Sequence, residues 1–151
     1  MTDLCNKIIY TSVASDVFDD SEMDELLAKS RDNNNRDQVT GKLIYTNKNF
    51  FQLLEGDSEV LDETFKRIKN DKRHTDIFLL GRFDGQREYT QWSMEYTKVE
   101  DQDAYSKLVA ILTDFVMQLD DEEDSKDKDS KTLNFSVKSH IDQILKDMGL
   151  N

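Results

Sequence analysis

The first hundred residues alternate short runs of β-branched or aromatic residues with two amphipathic segments. Residues 7–13 have the composition of a strand. The polar segment 19–24 has the spacing of a helix N-cap, and apolar residues follow it on one helical face. We expect this first helix to fade over 31–37, because asparagine side chains compete for the hydrogen bonds of their own backbone.

A hairpin and a second helix are predicted next. The apolar runs 39–46 and 50–54 are separated by a short polar segment, which is typical of two strands joined by a turn. Leu61, Phe65 and Ile68 then recur at helical spacing, which predicts a second amphipathic helix.

Two more strands complete the predicted domain. The continuous apolar run 77–80 predicts a buried strand, and 89–99 predicts a fifth strand. The order is βαββαβ with one added strand. This order favours a ferredoxin-like α+β sandwich with both helices on one face of a single sheet.

The pattern changes after residue 100, which divides the chain into a domain at 1–99 and a C-terminal helical extension at 100–151. The extension is predicted to hold an amphipathic helix over 103–119, a flexible acidic linker over 120–130 and a second short helix. The apolar faces of these helices consist of Leu108, Leu112, Phe115 and Leu119, and of Val137, Ile141, Ile144 and Met148. Because such faces must be buried, we expect them to cover the side of the sheet that the first two helices leave bare.

Charge and composition narrow the classes of function. The chain has 20 Lys and Arg against 32 Asp and Glu, a net charge of −12, which disfavours nucleic acids and anionic membranes as partners. No apolar run approaches the roughly 20 residues of a membrane span, and the N-terminus lacks the order of a secretory signal. These features predict a cytoplasmic protein.

Motifs for metal binding and nucleophilic catalysis are missing from the sequence. The one cysteine, Cys5, lies at the start of the chain and is interpreted as a thiol without a chemical role. The two histidines lack metal-ligand spacing, and the glycines form no phosphate-binding loop. The segment 71–74 has two interpretations that the sequence leaves open: basic residues that stabilise a helix C-terminus, or a site for an anionic ligand.

Gln52 is a more informative residue. In a strand it shares a face with Phe50 and Leu54, so its amide lies between two apolar neighbours. A buried amide without a partner costs roughly 1–3 kcal/mol. Gln52 therefore either points to solvent or is paired with another side chain, a water molecule or a ligand.

Six segments, taken together and in order, resemble the BLUF family of blue-light sensors that use FAD. The resemblance covers residues 7–99 and rests on Ile9-Tyr10-Thr11-Ser12, Ser30-Arg31-Asp32-Asn33-Asn34, Val39-Thr40-Gly41-Lys42-Leu43-Ile44-Tyr45, Phe51-Gln52-Leu53-Leu54-Glu55-Gly56, Asp71-Lys72-Arg73-His74 and Trp92-Ser93-Met94. Each segment is weak alone, but their shared order and spacing make the resemblance specific. It implies a blue-light photoreceptor rather than an enzyme.

The resemblance implies a non-covalent FAD site between the two helices. By position, Leu26, Leu27 and Ile68 would flank the flavin ring, and Asn34 would hydrogen-bond its carbonyl edge. The other candidates for polar contacts with the cofactor are Ser30, Arg31, Asn33, Arg67, Asp71, Arg73 and His74.

The resemblance also implies the photochemistry. Tyr10 and Gln52 would form the photochemical pair, in which Tyr10 gives an electron and a proton to the excited flavin while Gln52 rearranges its hydrogen bonds. Trp92 and Met94 would relay the change to the C-terminal extension. The signal would then pass to a downstream signalling protein or to a second copy of the chain.

Two alternative functions stand beside the photoreceptor. A small acyl-phosphate hydrolase shares the ferredoxin-like sandwich and would use Arg31 to bind phosphate and Asn34 to orient water. Against it, no glycine-rich anion loop precedes the first helix, and the net charge disfavours phosphate substrates. The other alternative is a light-independent ligand-binding regulatory module.

Overall fold

The computed structural model describes residues 4–16, 18–46, 48–91, 93–99, 106, 107, 110 and 137–147. Within these residues the chain forms five strands and three helices. In chain order they are β1 (Leu4–Ala14), α1 (Asp20–Asp37), β2 (Thr40–Thr46), β3 (Asn49–Gly56), α2 (Ser58–Lys69), β4 (His74–Gln86), β5 (Glu95–Lys98) and α3 (Val137–Asp147).

The strands form one sheet in the order β4-β1-β3-β2-β5. Neighbouring strands are antiparallel except for β2 and β5, which are parallel. This is the βαββαβ arrangement with an added fifth strand, so the predicted ferredoxin-like α+β fold is confirmed. Its register places Tyr10 of β1 and Leu43 of β2 on either side of Gln52 in β3.

Helix α1 begins within the predicted segment 19–24, with its N-cap two residues ahead of the capping pattern at Ser21, and ends later than predicted. Its N-cap is Asp19, whose carboxylate accepts a hydrogen bond from the backbone N–H of Glu22 at 2.8 Å. The helix continues to Asp37 and ends at Gln38, which has a left-handed backbone with φ 57°. The predicted fading over 31–37 is therefore wrong.

The reason is tertiary contact with the polar turn of the helix. Arg31 and Asn34 direct their side chains to the backbone carbonyl oxygens of Met94 and Ser93. An asparagine held in this way no longer competes for its own backbone, so packing overrides the weak helix propensity of the segment.

Strand β4 differs from its prediction in burial. The apolar run 77–80 lies in the strand, but Phe78 is 64% exposed and Leu79 is 44% exposed. The sheet order puts β4 at an edge, and the register of its pairing with β1 is irregular near Tyr10 and Thr11. An apolar run alone does not distinguish an edge strand from a central one.

The fifth strand is shorter than predicted. Only Glu95–Lys98 of the expected 89–99 pairs with β2. Ahead of it, the backbone N–H groups of Glu88 and Tyr89 donate to the carboxylate of Glu55, both at 2.8 Å. This segment is thus held by a side chain instead of a strand ladder.

The two faces of the sheet bury different residues. Tyr10, Leu43 and Leu54 belong to the core under α1 and α2. The alternate positions Ile9, Ile44, Phe51 and Leu53 are at most 1% exposed on the opposite face. These alternate positions include Lys7, which is bound by Glu88 at 2.7 Å.

Helix α3 packs on this opposite face. The backbone N–H of Lys138 donates to Oε2 of Glu88 at 2.9 Å, and Ile141 and Leu145 are buried. The predicted helix over 103–119 and the acidic segment 120–130 lie outside the described residues, apart from positions 106, 107 and 110, as does Met148. The division of the chain at residue 100 stays a prediction.

Candidate functional site

A cavity of about 540 Å³ lies between α1, α2 and the central strands of the sheet. Ligand pockets of proteins fall in the range of roughly 300–1,000 Å³. Its lining consists of Tyr10, Phe18, Leu26, Lys29, Ser30, Asn33, Asn34, Leu43, Phe50, Gln52, Leu54, Thr64, Arg67, Ile68, Asn70, Asp71, Lys72, Arg73 and His74.

Tyr10 and Gln52 meet on the floor of the cavity. They lie opposite each other in β1 and β3, and the phenolic O–H of Tyr10 donates to Oε1 of Gln52. Tyr10 is 3% exposed and Gln52 is 7% exposed. Phe65 of α2 packs against the Tyr10 ring, with 5.4 Å between the ring centroids. The buried amide of Gln52 thus has a side-chain partner and does not point to solvent.

The other end of the Gln52 amide faces Met94. Its Nε2 lies 3.4 Å from the Met94 Sδ, and Met94 is fully buried. An amide presents an acceptor at one end and donors at the other, so Gln52 joins a phenol to a thioether. A half-turn of the amide would exchange the groups that face Tyr10 and Met94.

The electrostatics of the floor keep the phenol neutral. Burial raises the pKa of Tyr10 well above its ordinary value, and the negative charge of Asp71 raises it further. Tyr10 therefore holds its proton at physiological pH.

Helix α1 forms one wall of the cavity. Leu26, Ser30 and Asn33 recur on the cavity side at helical spacing. Asn34 also reaches the cavity, but its Nδ2 donates to the Ser93 carbonyl oxygen at 2.9 Å. Its Oδ1 and the second N–H of its Nδ2 are left to interact with a ligand.

Two of the predicted cofactor residues on α1 do not line the cavity. Leu27 is 5% exposed and belongs to the hydrophobic core. Arg31, one turn later on the same side, donates from Nε to the Met94 carbonyl oxygen at 3.0 Å. Because Arg31 is not among the lining residues whereas Asn34 is, the two residues expected of an acyl-phosphate hydrolase do not share the cavity.

Helix α2 contributes Ile68, Thr64 and Arg67 to the second wall. Ile68 and Leu26 put apolar surface on facing helices. Arg67 pairs with Asp37 at the end of α1 at 2.9 Å, so this guanidinium also links the two helices across the cavity.

The segment 71–74 closes the same side. Helix α2 ends at Lys69, and these four residues line the cavity on the way into β4. Asp71 and Arg73 form an ion pair, whose hydrogen bonds hold the pKa of the Asp71 carboxyl below its usual range. His74 contacts both the Ser12 hydroxyl, at 2.8 Å, and the carbonyl oxygen of Ile68. The segment therefore stabilises the end of α2 and borders the cavity at once.

Sequence reasoning missed part of the lining. These residues are Phe18, Lys29, Leu43, Phe50, Leu54, Thr64, Asn70 and Lys72. Strand alternation placed Phe50 and Leu54 on the face of Gln52, but they were not identified as lining residues. The position of Phe18, in the connection before α1, had no comparable signal. Trp92 lies outside the described residues.

The donor set fits a flavin. Apolar walls from α1 and α2 suit a planar ring, and amide, hydroxyl and guanidinium groups are available at its edges and at the cavity mouth. Cys5 is buried elsewhere in β1 and is not among the lining residues, so the site offers no thiol for an adduct. Among the described residues no cluster of His, Cys, Asp and Glu could hold a metal ion.

A curated relative shares part of this sequence. It is the blue light- and temperature-regulated antirepressor BluF of Escherichia coli (strain K12), 33% identical over 70 residues. The match covers 46% of this chain and 17% of that protein. The chain thus corresponds to a small part of the relative.

Solved structures share the fold. A bacterial light-regulated adenylyl cyclase aligns with a TM-score of 0.62 and 28% identity, over 78% of this chain and 36% of that one. BlrB, described as a BLUF protein in its dark state, aligns with a TM-score of 0.58 and 26% identity, over 82% of this chain and 90% of that one. The photo-activated state of BlsA gives 0.59 and 26%, over 71% and 78% of the two chains.

The family model described as sensors of blue light using FAD matches residues 5–95, which is more than half of the chain. Those residues contain all of the described side chains that line the cavity. The matched domain is that of a sensor, which agrees with the prediction that it is not an enzyme. In the described part of the protein, no helix has the length and apolar character needed to span a membrane. The chain therefore belongs to the BLUF family of blue-light sensors.

Proposed function

We propose that this BLUF photoreceptor binds FAD between α1 and α2 and switches by reorienting the side chain of Gln52. The observation that carries the proposal is the buried series Tyr10–Gln52–Met94, which starts on the cavity floor and leads to β5. A buried amide with a different partner at each end has two orientations that differ in their hydrogen bonds. That is the property a reversible switch requires.

The residues that would hold FAD are those of the two walls. Leu26 and Ile68 would enclose the ring, and Oδ1 of Asn34 would accept from its polar edge. The remaining polar lining residues would contact the ring edge, ribityl chain or phosphates: Ser30, Asn33, Gln52, Arg67, Asp71, Arg73 and His74. Bound FAD would supply the absorption of blue light and, once excited, an acceptor for one electron and one proton.

Tyr10 would donate both the electron and the proton. Its raised pKa keeps the phenol protonated, so electron loss and proton loss are coupled. While the proton is away, the phenol no longer holds Oε1 of Gln52 and the amide is free to turn. When Tyr10 recovers its electron and proton, the site is chemically unchanged but its hydrogen bonds are rearranged.

The output would be a protein–protein interaction. The Escherichia coli relative is named as an antirepressor, and the light-regulated cyclase is named as an enzyme, but this chain spans only 17% and 36% of those proteins. For this chain we propose that Met94 and Trp92 pass the change to β5 and the C-terminal extension. These would bind a downstream signalling protein or a second copy of the chain in the cytoplasm.

Absorption spectroscopy tests the switch. The purified protein should carry FAD, shift its flavin band to the red under blue light and recover in the dark. Tyr10→Phe and Gln52→Leu should stay yellow and lose the shift, because one lacks the donor and the other lacks the reorienting amide. Tyr96→Phe, a tyrosine of β5 outside the cavity lining, is the matched control and should shift normally. A full red shift in either cavity variant would remove that residue from the switch.

A further inference from the structure

Two side chains of α1 hold the backbone that leads into β5. Nε of Arg31 donates to the Met94 carbonyl oxygen at 3.0 Å, and Nδ2 of Asn34 donates to the Ser93 carbonyl oxygen at 2.9 Å. The other end of β5 is fixed to β2, where the N–H of Val99 donates to the carbonyl oxygen of Tyr45. The short fifth strand is thus tied to α1 at its start and to the sheet at its end.

Met94 contacts both the switch residue Gln52 and the helix residue Arg31. Its Sδ lies 3.4 Å from the Gln52 Nε2, and its carbonyl oxygen is the atom that Arg31 binds. Hydrogen bonds with an ionised donor are roughly twice as strong as those between neutral groups. Of the two α1 contacts, the one from Arg31 is therefore the stronger and acts on Met94 itself.

We propose that Arg31 is a positioning residue that holds the Met94 thioether against Gln52 and thereby controls how quickly the switch returns to its dark state. The inference rests on the proposed function. Arg31 does not line the cavity, so its effect would pass through Met94 rather than through contact with the flavin.

The direction of the effect follows from the amide. In the orientation seen here, Gln52 donates toward Met94 and accepts from Tyr10. A sulfur atom held in place stabilises this orientation of the amide and the transition state through which the amide returns to it. Releasing the Met94 backbone removes that help, so an amide turned by light should return more slowly.

The test uses the FAD-bound full chain with Arg31→Gln and Arg31→Lys. Arg36→Gln is the matched control, because Arg36 is an exposed arginine on the same helix that pairs with its neighbour Asp37. The first measurement is the thermal recovery of the red-shifted band in the dark. The second is the methyl resonance of Met94 in dark protein labelled with ¹³C-methyl methionine, with Met94→Leu assigning it among the five methionines.

Arg31→Gln should slow recovery by roughly fivefold or more and shift or broaden the Met94 methyl signal. Arg31→Lys, which keeps a charged donor, should restore part of the recovery rate and part of the Met94 methyl signal. A general loss of stability would not give this rescue. If Arg31→Gln matches Arg36→Gln in either measurement, or recovers faster, the proposal is overturned. A wild-type protein that shows no red shift would instead contradict the photochemical function, which the methyl signal of dark protein does not depend on.

Discussion

At the scale of single residues, burial fixes the protonation state of Tyr10. The phenol is enclosed by the sheet and α2, and both burial and the charge of Asp71 oppose formation of a phenolate. The folded protein therefore keeps Tyr10 in its protonated form. In the proposed switch, the excited flavin would take both the electron and this proton from the phenol.

This pKa predicts an alkaline instability. Unfolded tyrosines ionise near pH 10, whereas folded Tyr10 keeps its proton, so the unfolded chain binds fewer protons and stability falls as the pH rises above about 10. Each such group contributes a slope of about 1.4 kcal/mol per pH unit. Tyr10→Phe should therefore lose less stability than wild type between about pH 10 and about pH 11, measured by denaturant unfolding.

The other titrating groups are the same in wild type and in Tyr10→Phe. Their contributions to the pH dependence of stability therefore cancel when the two proteins are compared. Tyr89 also has a raised pKa and acts in the same direction. Lys42 has a pKa lowered chiefly by burial, so its contribution to stability rises with pH up to the unfolded value of 10.5. Both are present in wild type and in Tyr10→Phe. Equal slopes in the two proteins would show that Tyr10 ionises as easily in the fold as in the unfolded chain.

The sequence and the resemblance predicted which residues lie near the cavity better than they predicted which way the side chains of α1 point. Gln52 was recognisable because a polar amide interrupts an apolar face. Leu27 and Arg31 were placed at the flavin with Leu26 and Ser30, yet they lie on the part of α1 that turns to the core and to Met94. A motif fixes positions along the helix, but the face of each residue depends on how the helix rotates against the sheet.

At the scale of elements, a buried ionic cluster organises the side of the sheet opposite the cavity. Lys7 of β1 is 1% exposed and binds Glu55 at 3.0 Å and Glu88 at 2.7 Å. Glu55 also accepts the two backbone N–H groups that hold the segment before β5. This cluster therefore holds Glu88 and Tyr89, which were predicted to start or precede the fifth strand, outside the strand ladder. The sequence could not reveal it, since its charges lie up to 81 residues apart.

Removing the lysine should destabilise the fold strongly. Lys7→Met leaves the buried Glu55 carboxylate without its cation, and breaking a buried pair in this way costs about 3–5 kcal/mol. The double variant Lys7→Met/Glu55→Gln should recover part of the loss, because the fully buried position 55 then carries no charge, while Glu88, which also loses Lys7, is partly exposed. Denaturant unfolding measures both, with exposed Lys66→Met as the control, expected to change stability by less than about 0.5 kcal/mol. A cost for Lys7→Met equal to that of the control would contradict the role of the cluster.

At the scale of the whole molecule, the sheet separates a cavity from a covering helix. Gln52 belongs to the cavity face of β3, and Glu55, three residues later, belongs to the opposite face, where Glu88 binds the N-terminal turn of α3. The amphipathic pattern predicted that a C-terminal helix would cover this face, and α3 does so. Which of its side chains meet the sheet was not predictable, because that depends on a carboxylate from the segment before β5.

The last prediction concerns this division between the faces. The described residues that line the cavity all precede residue 75, so Ile141→Asp in α3 should leave FAD binding and the red shift intact. The same change puts a charge at a fully buried position of the helix and should release α3 from the sheet, exposing the apolar face around Phe51 and Leu53. We expect faster amide exchange over 137–147 and concentration-dependent self-association in size-exclusion chromatography. Lys146→Asp, at an exposed position of the same helix, should do neither. If Ile141→Asp abolished the red shift while α3 stayed protected from exchange, the two faces would not be independent in the way the structure indicates.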